Sequence, residues 1–183
     1  MFRSVMELSP EDVLNFWFLE VGRSNWFVRD ERLDVMVRER FEKLHTDAAA
    51  QKLVTWETTP IGMLALVLLL GEFPLRMFRG TSRAFETQDD ALELARTAII
   101  NHFDDRIDKQ FKLFFYLPFL HSEEIGDQRL ALFYIRERAK ESEWLDLAER
   151  HFEIIQQFGR FPDRNTALGR SSTPDEVVFL QSH

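Results

Sequence analysis

Two segments of this chain concentrate arginine in a context that suits anion binding. Residues 73–85 contain three arginines and no acidic residue, and residues 158–174 contain three arginines against the single Asp163. Guanidinium groups bind phosphates and carboxylates through paired hydrogen bonds, and the second segment leads into a helix start, where backbone N–H groups favour an anion. We therefore predict an anion-binding site that contains Arg79, Arg83, Arg160, Arg164, Arg170 and Ser171. The alternative is that these arginines pair with carboxylates of the protein itself.

A second group of residues suits proton transfer. His121 is followed by Ser122, Glu123 and Glu124, and a carboxylate beside an imidazole moves its pKa into the range of a general acid or base. His121 and Glu123 are thus the candidate catalytic residues. In the alternative interpretation Ser122 only caps the following helix. A metal site from His121, Glu124 and His151 has no diagnostic spacing, so we predict neither a metal nor a cofactor.

We also predict that the two arginine-rich segments lie together on one side of the fold, with His121 beside them. Each segment is basic and lacks its own counter-charges, which favours bridging by an anion or by buried carboxylates. Glu72, Glu123 and Glu124 are the nearest candidates for such bridging.

The composition limits the class of protein. The chain has 183 residues, of which 45% are hydrophobic and 30% charged, and this favours a single globular domain over 1–183. The net charge of −8 argues against a nucleic-acid partner. The start of the chain lacks the apolar segment of a secretion signal, and the most apolar run, 61–70, is too short to span a membrane. The absence of cysteine fits a cytoplasmic location.

Helix signals recur along the whole chain, and no run alternates as a strand would. Helix starts are predicted at Ser9-Pro10, Thr59-Pro60, Thr87 and Thr173-Pro174, and helix stops at Gly22 and Gly159. Pro118 lies inside a helical pattern and is expected to end or kink that helix. The prediction is an all-α fold of about eight helices, with more than about 60% helix.

The 18 phenylalanines predict a core rich in aromatic rings. In a second helix, apolar residues from Leu33 to Ala48 recur at intervals of three or four, as expected for a buried helix face. The residues that we expect in one continuous core are Trp17, Phe41, Leu66, Phe115, Phe133, Trp144 and Ile155.

Several segments in chain order resemble the bacterial domain of unknown function 924 family, which belongs to the tetratricopeptide-repeat-like superfamily. They are VLNFWF, WETTPIGMLALVLLL, FRGTSRAF, YLPFLHSEE, RHFEIIQQFGRFPDRN and LGRSSTPDE. The resemblance extends from about Val13 to Leu180 and implies a tetratricopeptide-repeat-like α-α superhelical array, but no established activity, cofactor or catalytic residue. This chain departs from the family pattern at Gly71-Glu72 in place of Asp-Gln, at Leu75-Arg76 in place of Arg-Asn, and at Asp163 in place of His.

Two functional hypotheses follow. The first is a binding or protein-interaction module with a protein or peptide partner, since helical-repeat folds present grooves to such partners. The alternative is an enzyme or binder that acts on a small anionic metabolite, bearing phosphate or carboxylate, through the arginine segments and His121 with Glu123. The charge of the loops favours the alternative, whereas analogy of fold favours the first.

Overall fold

The computed structural model of the chain describes residues 8–182. Most of the chain is helical, at 75% of residues, and the described part contains no strand. The predicted all-α class is therefore confirmed. Residues 1–7, which form part of the segment analysed for a secretion signal, lie outside the described residues.

Eight helices follow one another along this part of the chain. Three of them continue without a break through a wider π-helical turn. The helices are α1 (Pro10–Asn15, continued by Phe16–Val21), α2 (Glu31–Ala49), α3 (Pro60–Val67, Leu68–Glu72 and Phe73–Met77), α4 (Gln88–Ile100), α5 (Leu113–His121), α6 (Ile125–Tyr134, continued by Ile135–Ala139), α7 (Ser142–Phe158) and α8 (Pro174–Ser182).

Most helix ends lie where the sequence predicts them. The Ser9 hydroxyl accepts a hydrogen bond from the Asp12 backbone N–H at the start of α1, and the Thr59 hydroxyl accepts one from Gly62 at the start of α3. At the start of α8, Thr173 and Glu176 exchange hydrogen bonds in a capping box. At the end of α7, Gly159 has a φ of +69°, a left-handed conformation that glycine adopts without strain.

Thr87 does not cap α4 in the predicted way. Its hydroxyl donates a hydrogen bond of 2.7 Å to the carbonyl of Leu70 in α3, and the neighbouring Gln88 amide donates to the carbonyl of Gly71. Pro74 lies four residues after Leu70 and has no N–H to offer that carbonyl. The first side chains of α4 therefore donate hydrogen bonds to backbone carbonyls of α3. The helix α3 itself continues beyond its predicted end at Leu70.

Pro118 does not end α5, which continues to His121. The last carbonyls of this helix are bonded by side chains of later helices. Gln128 donates to the carbonyls of Leu120 and Ser122, and the His151 ring nitrogen Nδ1 lies 3.1 Å from the carbonyl oxygen of Leu120. Buried carbonyls need such partners, so α6 and α7 fix the position at which His121 emerges.

The helices pack in two ways, against the next helix in the chain and against the next but one. From α2 to α7 each helix packs against the next, and α1, α3, α5 and α7 also pack against one another in turn. The helix α5 thus contacts α3, α4, α6 and α7 and occupies the centre of the fold. The helix α8 packs at the end of the array, where Phe179 lies against Phe158.

The core is one large cluster of apolar side chains rich in phenylalanine. The predicted core residues Trp17, Phe41, Leu66, Phe115 and Trp144 all belong to it. The prediction is wrong for Phe133, which is 53% exposed, because the buried face of α6 is formed instead by Asp127, Gln128, Ala131 and Ile135. Ile155 is buried but lies outside the continuous cluster.

One described helix, Pro60–Met77, is long and apolar enough to cross a membrane by length and composition. It is 83% buried inside the protein and supplies much of the core. The apolar surface of this helix is thus covered by the other helices of the chain.

Candidate functional site

A cavity of about 300 Å³ opens between the start of α4, the end of α5 and the 158–174 segment. Its volume is at the lower end of the range for small-molecule sites. The lining residues are Phe85, Gln88, Asp89, Leu92, Pro118, His121, Ser122, Glu123, Glu124, Arg164 and Leu168.

Arg164 is the positively charged residue of this cavity. Its guanidinium carbon lies 5.0 Å from the ring centre of Phe85 and 4.4 Å from that of Phe161, so the group is held between two aromatic rings. Within residues 8–182 the guanidinium donates no hydrogen bond and forms no ion pair. Burial lowers the pKa of Arg164, and the charges of Glu123 and Asp163 oppose this effect. The N–H groups of Arg164 therefore remain available to a ligand.

His121 contributes an imidazole to the same cavity, and its partner is Glu72. The His121 Nδ1 lies 3.6 Å from the Glu72 Oε1, and both side chains are largely buried. Neither of these two atoms has a hydrogen-bond partner. Glu72 is the last residue of the π turn in α3, and His121 is the last residue of α5. The contact between α3 and α5 brings the two residues together.

Burial shifts both groups of this pair toward their neutral forms. It raises the pKa of Glu72 to about 7, although the nearby charge of Arg76 acts in the opposite direction. It lowers the pKa of His121 to about 3, and the charge of Arg164 and the neighbouring His151 add to this effect. At neutral pH the imidazole is consequently uncharged, and the Glu72 carboxyl is close to its titration midpoint.

The buried Glu72 carboxyl makes the stability of the fold depend on pH. Its folded-state pKa of about 7 is above the ordinary value of 4.5 for a glutamate, so the stability contributed by its protonated form is present below about pH 4.5 and is lost as the pH rises through 7. The shift corresponds to about 3 kcal/mol. We expect Glu72→Gln, which cannot ionise, to gain this amount relative to the wild type between about pH 4.5 and pH 8. Urea unfolding at several pH values measures the difference.

The control for this experiment is Glu57→Gln, the same substitution at an exposed position far from His121. It is expected to leave the pH dependence of unfolding unchanged. Parallel pH profiles for the wild type and Glu72→Gln would show that Glu72 is ionised alike in the folded and unfolded states.

Glu123, the other candidate catalytic residue, is bonded to the 158–174 segment. Its carboxylate accepts two hydrogen bonds from Arg170, of 2.7 and 3.0 Å, and a third of 2.8 Å from the backbone N–H of Phe161. Burial opposes its ionisation, but these donors hold the pKa of Glu123 below its usual range. Glu123 is therefore a fixed anion that anchors the 158–174 segment to α5.

The other predicted anion-binding arginines have carboxylate partners in the protein. Arg79 binds both oxygens of Asp34, at 2.7 and 2.9 Å. Arg83 lies 3.4 Å from Glu42 and stacks on Phe78. Arg160 donates twice to Glu176 and once to the carbonyl of Ser171. These pairs, with Arg170 and Glu123, agree with the alternative interpretation of the arginine segments and leave Arg164 as the unpaired member of the set.

The two segments meet at one point. Phe85, the last residue of the first segment, stacks on Arg164 of the second, and His121 lines the same cavity. The arginines of the first segment are directed elsewhere, toward α2, where Asp34 and Glu42 lie. The structure thus brings together Phe85, His121 and Arg164.

Two residues of the site were not among the predicted catalytic or anion-binding residues. Glu72 appeared as a possible bridge for arginine and as a departure from the family pattern, and Gln88, whose side-chain Oε1 is buried without a partner, did not appear. A usable sequence signal exists for Glu72, because it is a carboxylate inside the apolar run between Leu70 and Phe73. A charged residue in such a run is seldom buried unless another group pairs with it or forms a hydrogen bond to it.

Two other features of the described residues bear on the choice of site. A cavity of about 240 Å³ between α2, α3 and α4 is lined by apolar residues and by Glu57, Asp90 and Glu93, with no basic residue to attract an anion. Within residues 8–182 no three histidine or carboxylate side chains are grouped as metal ligands.

Comparison with known proteins places the chain in a family. It is similar to the protein of unknown function ATU0120 from Agrobacterium tumefaciens, with 36% sequence identity, a TM-score of 0.90, and coverage of 95% of this chain and 97% of that one. No match to a curated protein was found. The family described as bacterial protein of unknown function (DUF924) matches residues 13–183. The chain belongs to the DUF924 family of bacterial proteins of unknown function.

Proposed function

We propose that this protein binds a small anionic molecule, bearing a phosphate or a carboxylate, in the cavity formed by Arg164 and His121. The observation that carries the proposal is the Arg164 guanidinium, which is held between Phe85 and Phe161 without an acceptor in the described part of the chain. A half-buried guanidinium loses part of its hydration, and this loss is compensated when an anion accepts its hydrogen bonds. The two rings fix its orientation in advance, which lowers the entropy cost of binding.

The rest of the cavity limits the kind of ligand. Leu92, Pro118 and Leu168 form apolar walls, while Ser122 and Gln88 are polar groups within reach of a bound molecule. Asp89 and Glu124 are exposed and lie at the rim, where they disfavour a ligand that carries a second anionic group. A compact molecule with one anionic group and an apolar or hydroxylated body fits these walls best.

Arg164→Ala is expected to weaken the binding of such an anion by about 10- to 100-fold, because a charge-assisted hydrogen-bond pair is lost. The measurement is a thermal-shift screen of the wild-type protein with inorganic phosphate, sulfate and small carboxylates, followed by calorimetric titration of the best probe. A specific ligand stabilises the fold in proportion to the logarithm of its concentration over its dissociation constant.

Arg106→Ala is the matched control. Arg106 also stacks on a phenylalanine, with its guanidinium carbon 5.3 Å from the centre of the Phe103 ring, but it is exposed and outside the cavity. Equal losses of affinity in the two variants would reveal a non-specific effect of charge and contradict the proposal. If Arg164→Ala does not fold, Arg164→Lys retains the charge but not the planar fork and is expected to bind the same probe more weakly. Failure of every probe to stabilise the wild type would also contradict the proposal.

The second candidate is a protein-interaction module with a protein or peptide partner. The successive contacts of α1, α3, α5 and α7 support a tetratricopeptide-repeat-like superhelical arrangement, whose grooves bind peptides in other proteins. Val177, Val178 and Leu180 on α8 are exposed, and an apolar patch of this kind favours a macromolecular partner. For this function, Leu180→Asp would abolish capture of a partner and leave anion binding intact.

Under either function, we propose a cytoplasmic location, with which the absence of cysteine is consistent.

A further inference from the structure

The contact between Glu72 and His121 lacks the proton that a hydrogen bond between the two side chains requires. Two buried atoms, Glu72 Oε1 and His121 Nδ1, face each other at 3.6 Å, and neither has a hydrogen-bond partner. Both are acceptors when the carboxyl is ionised and the proton of the neutral imidazole is on Nε2. A proton on either atom converts this arrangement into a hydrogen bond, because one atom then donates to the other. The pair is therefore built to hold one proton between its two members.

The charges around the pair determine whether that proton is bound. On the α3 side, Arg76 acts on Glu72 and favours its ionised form. On the opposite side, Arg164 of the 158–174 segment and His151 of α7 act on His121 and disfavour its protonation. The His151 Nδ1 lies against the carbonyl of Leu120, and burial favours the neutral form of this ring. Arg164 is thus the fixed positive charge that faces His121.

An anion at Arg164 changes this balance. It compensates the guanidinium charge, so the cost of adding a positive charge near His121 falls. A route for the proton also exists, because Glu72 lines a second cavity of about 170 Å³, together with Arg76 and Arg79. Glu72 lines this cavity and His121 lines the other, and the two side chains are in contact.

We propose that Glu72, rather than Glu123, is the carboxylate partner of His121, and that the Glu72–His121 pair takes up one proton from solvent when an anion binds to Arg164. This inference rests on the proposed anion site. The proton leaves hydronium or a protonated buffer molecule and forms a bond to one member of the pair, and the bound anion balances the added charge. With the proton on its carboxyl, Glu72 donates a hydrogen bond to the Nδ1 of His121 and positions the neutral imidazole, which keeps its own proton on Nε2.

The experiment measures the dissociation constant of sulfate at several pH values between about 6 and 8, where sulfate itself does not titrate. Uptake of one proton is expected to weaken binding as the pH rises, by up to about tenfold per pH unit above pH 7. In Glu72→Gln the dependence on pH is expected to flatten, since glutamine cannot accept the proton. Glu57→Gln, a matched substitution outside both cavities of the pair, is expected to retain the wild-type slope.

A direct measurement on the wild type needs no variant. Calorimetric titration with sulfate at about pH 8, in two buffers of different ionisation enthalpy, reports the number of protons taken up, and a value approaching one is expected. If sulfate binds through Arg164 with no proton uptake and no dependence on pH, the inference is wrong and the proposed function stands. If Glu72→Gln folds and keeps the full slope, another group takes up the proton and the inference is wrong. If sulfate, phosphate and small carboxylates all fail to bind, the proposed function and this inference are both overturned.

Discussion

Truncation of Phe115 to alanine is expected to lower the free energy of unfolding by about 3–5 kcal/mol. Phe115 has no exposed surface and lies on α5, the helix that contacts α3, α4, α6 and α7. Removal of its ring both exposes apolar surface and leaves a cavity that four surrounding helices cannot fill without moving. Equilibrium unfolding in urea, followed by circular dichroism, measures this loss.

Phe133→Ala provides the matched control, because the same side chain is removed from the adjacent helix α6. Phe133 is 53% exposed and contacts the ring of Tyr134 at the surface. Its truncation is expected to cost less than about 1 kcal/mol. Similar losses in the two variants would mean that the described core is incorrect around α5.

Gly62→Ala is expected to destabilise the protein by about 3 kcal/mol or more, although alanine is the better helix former. A Cβ atom at position 62 would lie 2.2 Å from the carbonyl oxygen of Trp56 and 2.8 Å from its carbonyl carbon. These atoms belong to the backbone of the 3₁₀ turn Val54–Thr58, which packs against α3. A backbone cannot rotate away as a side chain does, so the turn and the helix must separate. Thermal and urea unfolding detect the loss.

The comparison variant is Gly126→Ala in the first turn of α6. No atom lies within 4 Å of a Cβ at this position, and its φ is not in the left-handed range. Alanine is expected to stabilise the helix here by about 0.5–1 kcal/mol. If Gly62→Ala were neutral or stabilising like Gly126→Ala, the close approach of the 54–58 turn to α3 would be wrong.

The parts of the fold that depend on neighbouring residues could be predicted from the sequence. The Ser9, Thr59 and Thr173 caps each involve residues at most three positions away. The buried face of α2, from Leu33 to Ala48, follows from helical spacing alone. Thr87 and Phe133 were assigned wrongly because their environments depend on other helices. The first is bonded to α3, and the second lies on a face of α6 that no helix covers.

The candidate site was predictable in its residue types but not in its pairings. The charge of the two segments identified Arg164 as a candidate, and the neighbouring carboxylates identified His121. Neither pattern contained information on which arginines pair with a carboxylate of the protein. Asp34, Glu42, Glu123 and Glu176 neutralise the other predicted arginines, and most of these partners are distant in sequence. Only the packing of α3 on α5 shows that Glu72, and not the adjacent Glu123, faces His121.

The π turn of α3 has a consequence for insertions and deletions in this family. At this turn the backbone N–H of Phe73 bonds to the carbonyl of Leu68, five residues earlier, so the helix accommodates one residue more than a regular α-helix. Loss of a single residue between 68 and 72 would remove the wide turn and restore regular spacing, and the two halves of α3 would keep nearly the same orientation relative to each other. The half before the turn supplies core residues, while the half after it carries Arg76 toward Asp34. Such a deletion would therefore leave the helix continuous and Arg76 directed toward Asp34, and its effect would be confined to the turn itself, which includes Glu72.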